Sequence, residues 1–193
     1  MAKQSSLIFI SGGVRSGKSS FAERLAANIA NQKKGSLHYI AAGQSSDPEM
    51  EERIARHQKD RSRSGLNWQT WEQPKDLKRL SNAFSSNDVV LLDCVTTLLN
   101  NEFFTADREW EHPVYQSKVK ESIFQGIQLI SETCHTLIVV SNEVLNEPIG
   151  KNALVFVYTR ILGELHQLLV AEAKQAYLVE AGIPMQMKGT KRT

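Results

Sequence analysis

Short, continuously apolar runs alternate along this chain with longer stretches in which apolar positions return every three or four residues. The runs at residues 7–11, 37–41, 89–93, 136–141 and 176–180 predict strands, and the unbroken apolarity of several of them is what a parallel strand covered on both faces requires. Phe21, Leu25 and Ile29 are spaced i, i+4, i+8 and predict an amphipathic helix behind the first run. Asp47-Pro48-Glu49-Met50 predicts a second helix start: Asp caps, Pro suits the first helical position, and an acid complements the helix dipole. That helix places Met50, Ile54 and His57 on a common face. Trp68 and Thr70 alternate in a short strand, and residues 119–131 and 155–173 read as longer helices. Ile183-Pro184-Met185-Gln186-Met187 predicts a terminal edge strand, where proline is tolerated. The pattern is that of an α/β fold, a mostly parallel sheet with helices on both faces, with residues 1–193 expected to form one domain.

Between the first strand and the first helix lies Gly12-Gly13-Val14-Arg15-Ser16-Gly17-Lys18-Ser19, a G-x-x-x-x-G-K-S loop. Gly12, Gly13 and Gly17 allow positive φ, so that backbone N–H groups turn inward, and the following helix offers its positive end to a polyphosphate. Lys18 can reach the β- and γ-phosphates and Ser19 can ligate Mg2+. This strand–loop–helix context points to a P-loop NTPase fold that binds a nucleotide.

Composition narrows the picture. The 193 residues carry 23 basic and 21 acidic side chains, a net charge of +2, which is far from the dense cationic surface of a nucleic-acid or anionic-membrane binder. The basic tail from Lys188 to Arg192 is short and expected to be solvated. No signal-like segment opens the chain and no apolar run is expected to span a membrane, so a cytoplasmic protein is expected. Cys94 and Cys134 stand alone in apolar surroundings without C-x-x-C spacing, which predicts buried thiols.

Two further residues carry chemistry. Val89-Val90-Leu91-Leu92-Asp93 ends an apolar strand on an acid, which places a carboxylate at the strand's C-terminal edge, where it can hold Mg2+ or contact a nucleotide; an acid capping the next turn is the alternative. His57 is flanked by Arg53, Arg56, Lys59, Arg61 and Arg63, a cationic cluster that attracts polyphosphate and favours the neutral, nucleophilic imidazole; a solvated basic helix face is the alternative. His38, His112, His135 and His166 are read as ordinary polar residues.

Four segments taken in order, G-G-V-R-S-G-K-S at 12–19, E-M-x-x-R-I-x-x-H at 49–57, W-x-T-x-E at 68–72 and L-L-D-C-V-T-T at 91–97, resemble the bifunctional adenosylcobinamide kinase / adenosylcobinamide-phosphate guanylyltransferase family of cobalamin biosynthesis. Ser141-Asn142-Glu143-Val144 and Gly182-Ile183-Pro184 extend the likeness. The resemblance implies a RecA-like sheet and two reactions. A nucleoside triphosphate, ATP or GTP, phosphorylates the aminopropanol hydroxyl of adenosylcobinamide. A histidine, matched here by His57, then takes GMP from GTP as a phosphoramidate and passes it to the cobinamide phosphate. By motif position the resemblance assigns Gly12, Gly13, Val14, Arg15, Ser16, Gly17, Lys18 and Ser19 to the triphosphate. It assigns Ala41, Ala42 and Gly43, then Gln58, Lys59, Asp60 and Arg61, then Glu72 and Asp93 to nucleotide contacts, with Mg2+ on Ser19 and possible help from Asp93. A carboxylate can read the N1–H and N2 amino group of guanine, and either acid suits that role. The partners implied are nucleotides and a corrinoid, and the assembly implied is a homo-oligomer, a trimer.

The chain departs from the family pattern after Val144. Leu145-Asn146-Glu147-Pro148-Ile149-Gly150 stands where the family has G-x-G-I-V-P. Residues 158–167 keep Gly163 and Gln167 but replace an arginine, an aspartate and an asparagine with Thr159, Arg160 and His166. Extra residues separate Arg61 from Trp68, and Ser62 replaces a usual proline. Two other readings fit the same residues: a small-molecule kinase using the phosphate loop alone, and a degenerate GTP-binding module without chemistry.

Overall fold

A computed structural model describes residues 6–43, 65–105, 109–143 and 152–189. Seven strands form one sheet in the order β3-β2-β4-β5-β1-β6-β7, with β1 Ser6–Gly12, β2 Leu37–Ala41, β3 Trp68–Glu72, β4 Val89–Asp93, β5 Thr136–Asn142, β6 Gln175–Glu180 and β7 Ile183–Lys188. The first six are parallel and only β7 runs antiparallel to its neighbour. The predicted edge strand at the C-terminal end is therefore β7, and Pro184 sits there opposite Val179.

Side-chain alternation along the strands divides the core in two. Ile8, Ile10, Leu37, Tyr39, Val89, Leu91, Ile138 and Val140 face α1, Lys18–Lys33. Leu7, Phe9, Ile40, Val90, Leu92, Leu137 and Val139 face the opposite layer, which contains α2 Val95–Phe103, α3 Pro113–Thr133 and α4 Ala153–Glu172. Helices thus cover both faces, as the strand pattern predicts.

Several elements differ from the sequence expectation. On α1 the residues turned to the sheet are Ala22, Ala26 and Ala30, while Phe21, Leu25 and Ile29 pack beside them half-buried. Small side chains let the helix lie close to the strands, and the larger ones close its flanks. Helix α2, unforeseen, follows β4 directly and buries Val95, Leu98, Leu99 and Phe103. Helix α3 begins six residues before the expected 119, with Pro113 in its first turn.

Helix α4 is capped by Asn152, whose side chain accepts from the N–H groups of Leu154 and Val155. By length and composition α4 is apolar enough to cross a membrane, contrary to the expectation of no such stretch. In this fold it lays Thr159, Ile161, Leu162, Leu165, His166 and Leu169 against the rest of the protein. Lys188 is part of β7 rather than of a solvated tail, and its ammonium donates to the carbonyls of Val170 and Ala171 at the end of α4. Cys94 and Cys134 are free and buried. The helix expected from Asp47, with Met50, Ile54 and His57, lies outside the described residues.

Candidate nucleotide site

The phosphate loop joins the C-terminal end of β1 to the start of α1. Gly17, the residue before the helix, has φ 89°, a conformation that glycine adopts without a Cβ clash. A Cβ on Gly12 would stand 2.4 Å from the Val179 carbonyl oxygen and 2.7 Å from Ser16 Oγ, so only glycine fits between the loop and β6. Gly13 does not take positive φ, contrary to expectation; Arg15 does, with φ 61°. The turn within the loop is thus made at the fourth position rather than the second. Gly13, Val14 and Arg15 are exposed at its crest.

The loop is held from several sides. The Ser16 N–H donates to the Gly13 carbonyl, the Gly182 N–H donates to the Ser16 carbonyl at 2.8 Å, and the Glu143 N–H donates to the Gly12 carbonyl at 2.8 Å. The β6–β7 turn and the end of β5 therefore set its shape. Lys18 is only 7% exposed, and its Nζ donates to the Gly13 carbonyl at 3.1 Å. Its charge is held against the loop itself, where a polyphosphate would meet it. Ser19 follows in the first helical turn, half-buried.

The adjoining strands bring the other predicted residues to the same edge of the sheet. Ala41 pairs with Glu72 on one side and with Asp93 on the other, so the two acids flank the end of β2. Adjacent strands lie about 4.8 Å apart, which puts the two acids' backbones roughly 10 Å from one another. Tyr39 OH donates to Asp93 Oδ2 at 3.1 Å and orients that carboxylate. Glu72 is exposed. The segment Ala41-Ala42-Gly43 is fixed between them: the Ala42 N–H donates to the Asp93 carbonyl, the Gln73 N–H donates to the Ala41 carbonyl, and Asn101 Nδ2 donates to the carbonyls of Ala42 and Pro74.

Cys94 follows Asp93 and is buried. Burial pushes its thiol pKa up and the Asp93 carboxylate adds to this, while hydrogen bonding from Thr97 and the Lys18 charge act the other way. A thiol so held is a poor nucleophile.

Of the predicted residues, 12–19, 41–43, Glu72 and Asp93 share the C-terminal edge of the sheet, as ligand sites of open α/β sheets do. His57, Gln58, Lys59, Asp60 and Arg61 lie outside the described residues. For Mg2+ the available donors are hard oxygens, the Ser19 hydroxyl and the Asp93 carboxylate; a P-loop ion takes its other ligands from phosphate and water, so the residues fit. Among the described residues no group of three His, Cys, Asp or Glu side chains could hold a metal on its own.

Sequence reasoning missed Tyr39, Asn101 and a hydrogen-bonded chain formed by half-buried Thr96 with buried Ser141 and His166. Tyr39 alternates with core residues in an apolar run and gives no polar signal. The others act through partners remote in sequence.

A model of the cobinamide kinase / cobinamide phosphate guanyltransferase family matches residues 8–187. The chain is 32% identical over 188 residues to the bifunctional adenosylcobalamin biosynthesis protein CobU of Escherichia coli, covering 94% of this chain and 99% of that protein. It is 33% identical over 181 residues to the bifunctional adenosylcobalamin biosynthesis protein CobP of Pseudomonas aeruginosa, covering 93% and 96%. Among solved structures, the flagellar accessory protein FlaH of Methanocaldococcus jannaschii aligns with a TM-score of 0.53 at 16% identity, over 96% of this chain and 79% of that one, a likeness of fold alone. With a phosphate loop, two acids and the Ala41-Ala42-Gly43 turn gathered on one sheet edge, and a family match running from β1 to β7, the chain belongs to the cobinamide kinase / cobinamide phosphate guanyltransferase family.

Proposed function

We propose that this chain carries both family activities at the site just described: it phosphorylates adenosylcobinamide from ATP or GTP, then transfers GMP from GTP to adenosylcobinamide phosphate through a guanylyl-histidine on His57. The observation that carries the reading is the family match over residues 8–187, which includes the phosphate loop, His57, Glu72 and Asp93.

In the first reaction the loop N–H groups and Lys18 neutralise the triphosphate and hold it in line with the attacking hydroxyl, since phosphoryl transfer is mostly positioning and charge stabilisation. Mg2+ would neutralise charge on the triphosphate, and Ser19 and Asp93 are the residues that would hold it. In the second, the His57 imidazole attacks the α-phosphorus of GTP, the bond to the bridging oxygen breaks, and pyrophosphate leaves. The phosphate oxygen of cobinamide phosphate then attacks the phosphoramidate and the imidazole departs. Histidine suits this exchange because it is both nucleophile and leaving group. One of the two acids on either side of Ala41 would read a guanine edge by accepting from N1–H and the N2 amino group, and with Asp93 on the ion that role falls to Glu72.

The deciding experiment incubates wild type and His57→Ala with GTP labelled at the α- or the γ-phosphate, then counts acid-labile, base-stable label on the denatured protein. Transfer of α-label alone, lost in His57→Ala, is expected. No α-label on a wild type that binds GTP would overturn the guanylyl-histidine and leave the phosphate-loop kinase.

A further inference from the structure

His166 lies on the inner side of α4 and is 8% exposed. Its Nε2 is 2.8 Å from Ser141 Oγ, near the end of β5. Ser141 is fully buried, and its Oγ is 3.0 Å from Thr96 Oγ1 in the first turn of α2. Thr96 Oγ1 accepts the backbone N–H of Asn142 at 2.9 Å. Each hydroxyl of this chain can give one proton and accept two, so His166 Nε2 accepts from Ser141 Oγ or donates to it according to its tautomer, and the three side chains stay paired either way. Burial favours the neutral imidazole, against the pull of the Glu143 carboxylate, and the Phe9 ring, 5.2 Å away, packs against it.

The Thr96 end of this chain touches both halves of the nucleotide site, and His166 anchors the other end in α4. Asn142 pairs with Gly12, and the next N–H, that of Glu143, donates to the Gly12 carbonyl where the phosphate loop begins. Thr96 stands three residues beyond Asp93, and Tyr158 OH from α4 donates to its carbonyl at 3.0 Å. A buried polar chain of this kind is costly unless every member is paired, and when paired it admits one arrangement rather than many.

We propose that His166 is a positioning residue of the nucleotide site: as the terminal hydrogen-bond partner of the Thr96–Ser141 chain, it fixes the entry of the phosphate loop at Gly12 relative to the Asp93 carboxylate. The proposal rests on reading the phosphate loop as the nucleotide site. His166 touches no reacting atom and acts through the strand end and the helix start.

The test compares His166→Phe, which keeps a ring against Phe9 but removes the hydrogen-bonding nitrogen, with His166→Gln, whose amide reaches about where Nε2 stands. The readouts are kcat and KM for intrinsic GTP hydrolysis, the same parameters for cobinamide phosphorylation, affinity for a non-hydrolysable GTP analogue, and Tm. In His166→Phe, kcat is expected to fall roughly 10-fold, with KM and analogue affinity within about twofold, because misplacement harms transfer more than binding. His166→Gln is expected to recover most of that loss. Thr96→Val should match His166→Phe, and the double variant should lose no more than either, the mark of one shared chain. Wild-type kcat in a folded His166→Phe, or a loss that His166→Gln fails to restore, would overturn the proposal. A wild type that hydrolyses GTP without phosphorylating cobinamide would count against the functional assignment alone, since hydrolysis tests His166 separately.

Discussion

At the scale of single residues, the two glycines that open the phosphate loop are not equivalent. An added methyl on Gly12 would meet the backbone carbonyl of Val179 at 2.4 Å, whereas on Gly13 it would meet nothing within 4 Å. Gly12→Ala is therefore expected to cost about 1–3 kcal/mol by forcing the loop off β6, and Gly13→Ala no more than about 0.5 kcal/mol, compared by urea unfolding. Equal costs would mean that the packing against Val179 is unimportant. His166 makes a second prediction. Burial lowers its pKa from the ordinary 6.5, with Glu143 opposing, so below that value the unfolded chain takes up a proton that the folded one resists. The stability due to the neutral imidazole is present above pH 6.5 and is lost as pH falls through the folded value. The His135 pKa is also lowered, by burial and then by Lys33 and Lys174, and it contributes equally to any variant at position 166. Wild type should thus lose more of its urea midpoint between neutral and mildly acidic pH than His166→Gln does; parallel losses would assign the acid sensitivity to other groups.

Among elements, α1 shows how far the apolar pattern carries. The strands were legible because both faces of a parallel sheet demand apolar runs: β1, β4 and β5 have unbroken ones, β2 is interrupted by His38 alone, and β6 is apolar between Gln175 and Glu180. For helices the pattern weights large side chains, so Phe21, Leu25 and Ile29 point to a face that Ala22, Ala26 and Ala30 in fact occupy. Helix α2 has its own stripe at Val95, Leu98, Leu99 and Phe103, but its β-branched start, Val95-Thr96-Thr97, has poor helix propensity and continues the apolar strand before it. Thr96 and Ser141 stand in segments that carry the family resemblance, but nothing in the sequence joins them to His166: the links span 25 and 45 residues, and only strand order brings them together. Packing at α1 is directly testable. Ala26 is fully buried, and Ala26→Leu should cost about 1–3 kcal/mol by lifting the helix from β1 and β4. Ala27→Leu, on the half-buried flank, should cost clearly less in the same unfolding assay; the reverse order would restore the face centred on the larger residues.

For the molecule as a whole, the phosphate loop is the point where separate parts of the chain are tied: β1 leads into it, β5 grips Gly12 through Glu143, and the β6–β7 turn grips Ser16 through Gly182. A ligand that binds the loop binds the folded state and not the unfolded one, because no single segment retains these contacts alone. At about 100 times its Kd such a ligand adds about 2.7 kcal/mol, which for a chain of this size raises Tm by roughly 5–11 °C. GTP with Mg2+ is expected to produce that rise in wild type. Lys18→Ala, which removes the ammonium held on the Gly13 carbonyl, should abolish most of it at the same nucleotide concentration. Chelating Mg2+ should reduce the rise in wild type, and Asp93→Asn should become less sensitive to chelation if that carboxylate holds the ion. A full rise in Lys18→Ala would place the nucleotide away from the loop and remove the ground on which the site's chemistry is argued.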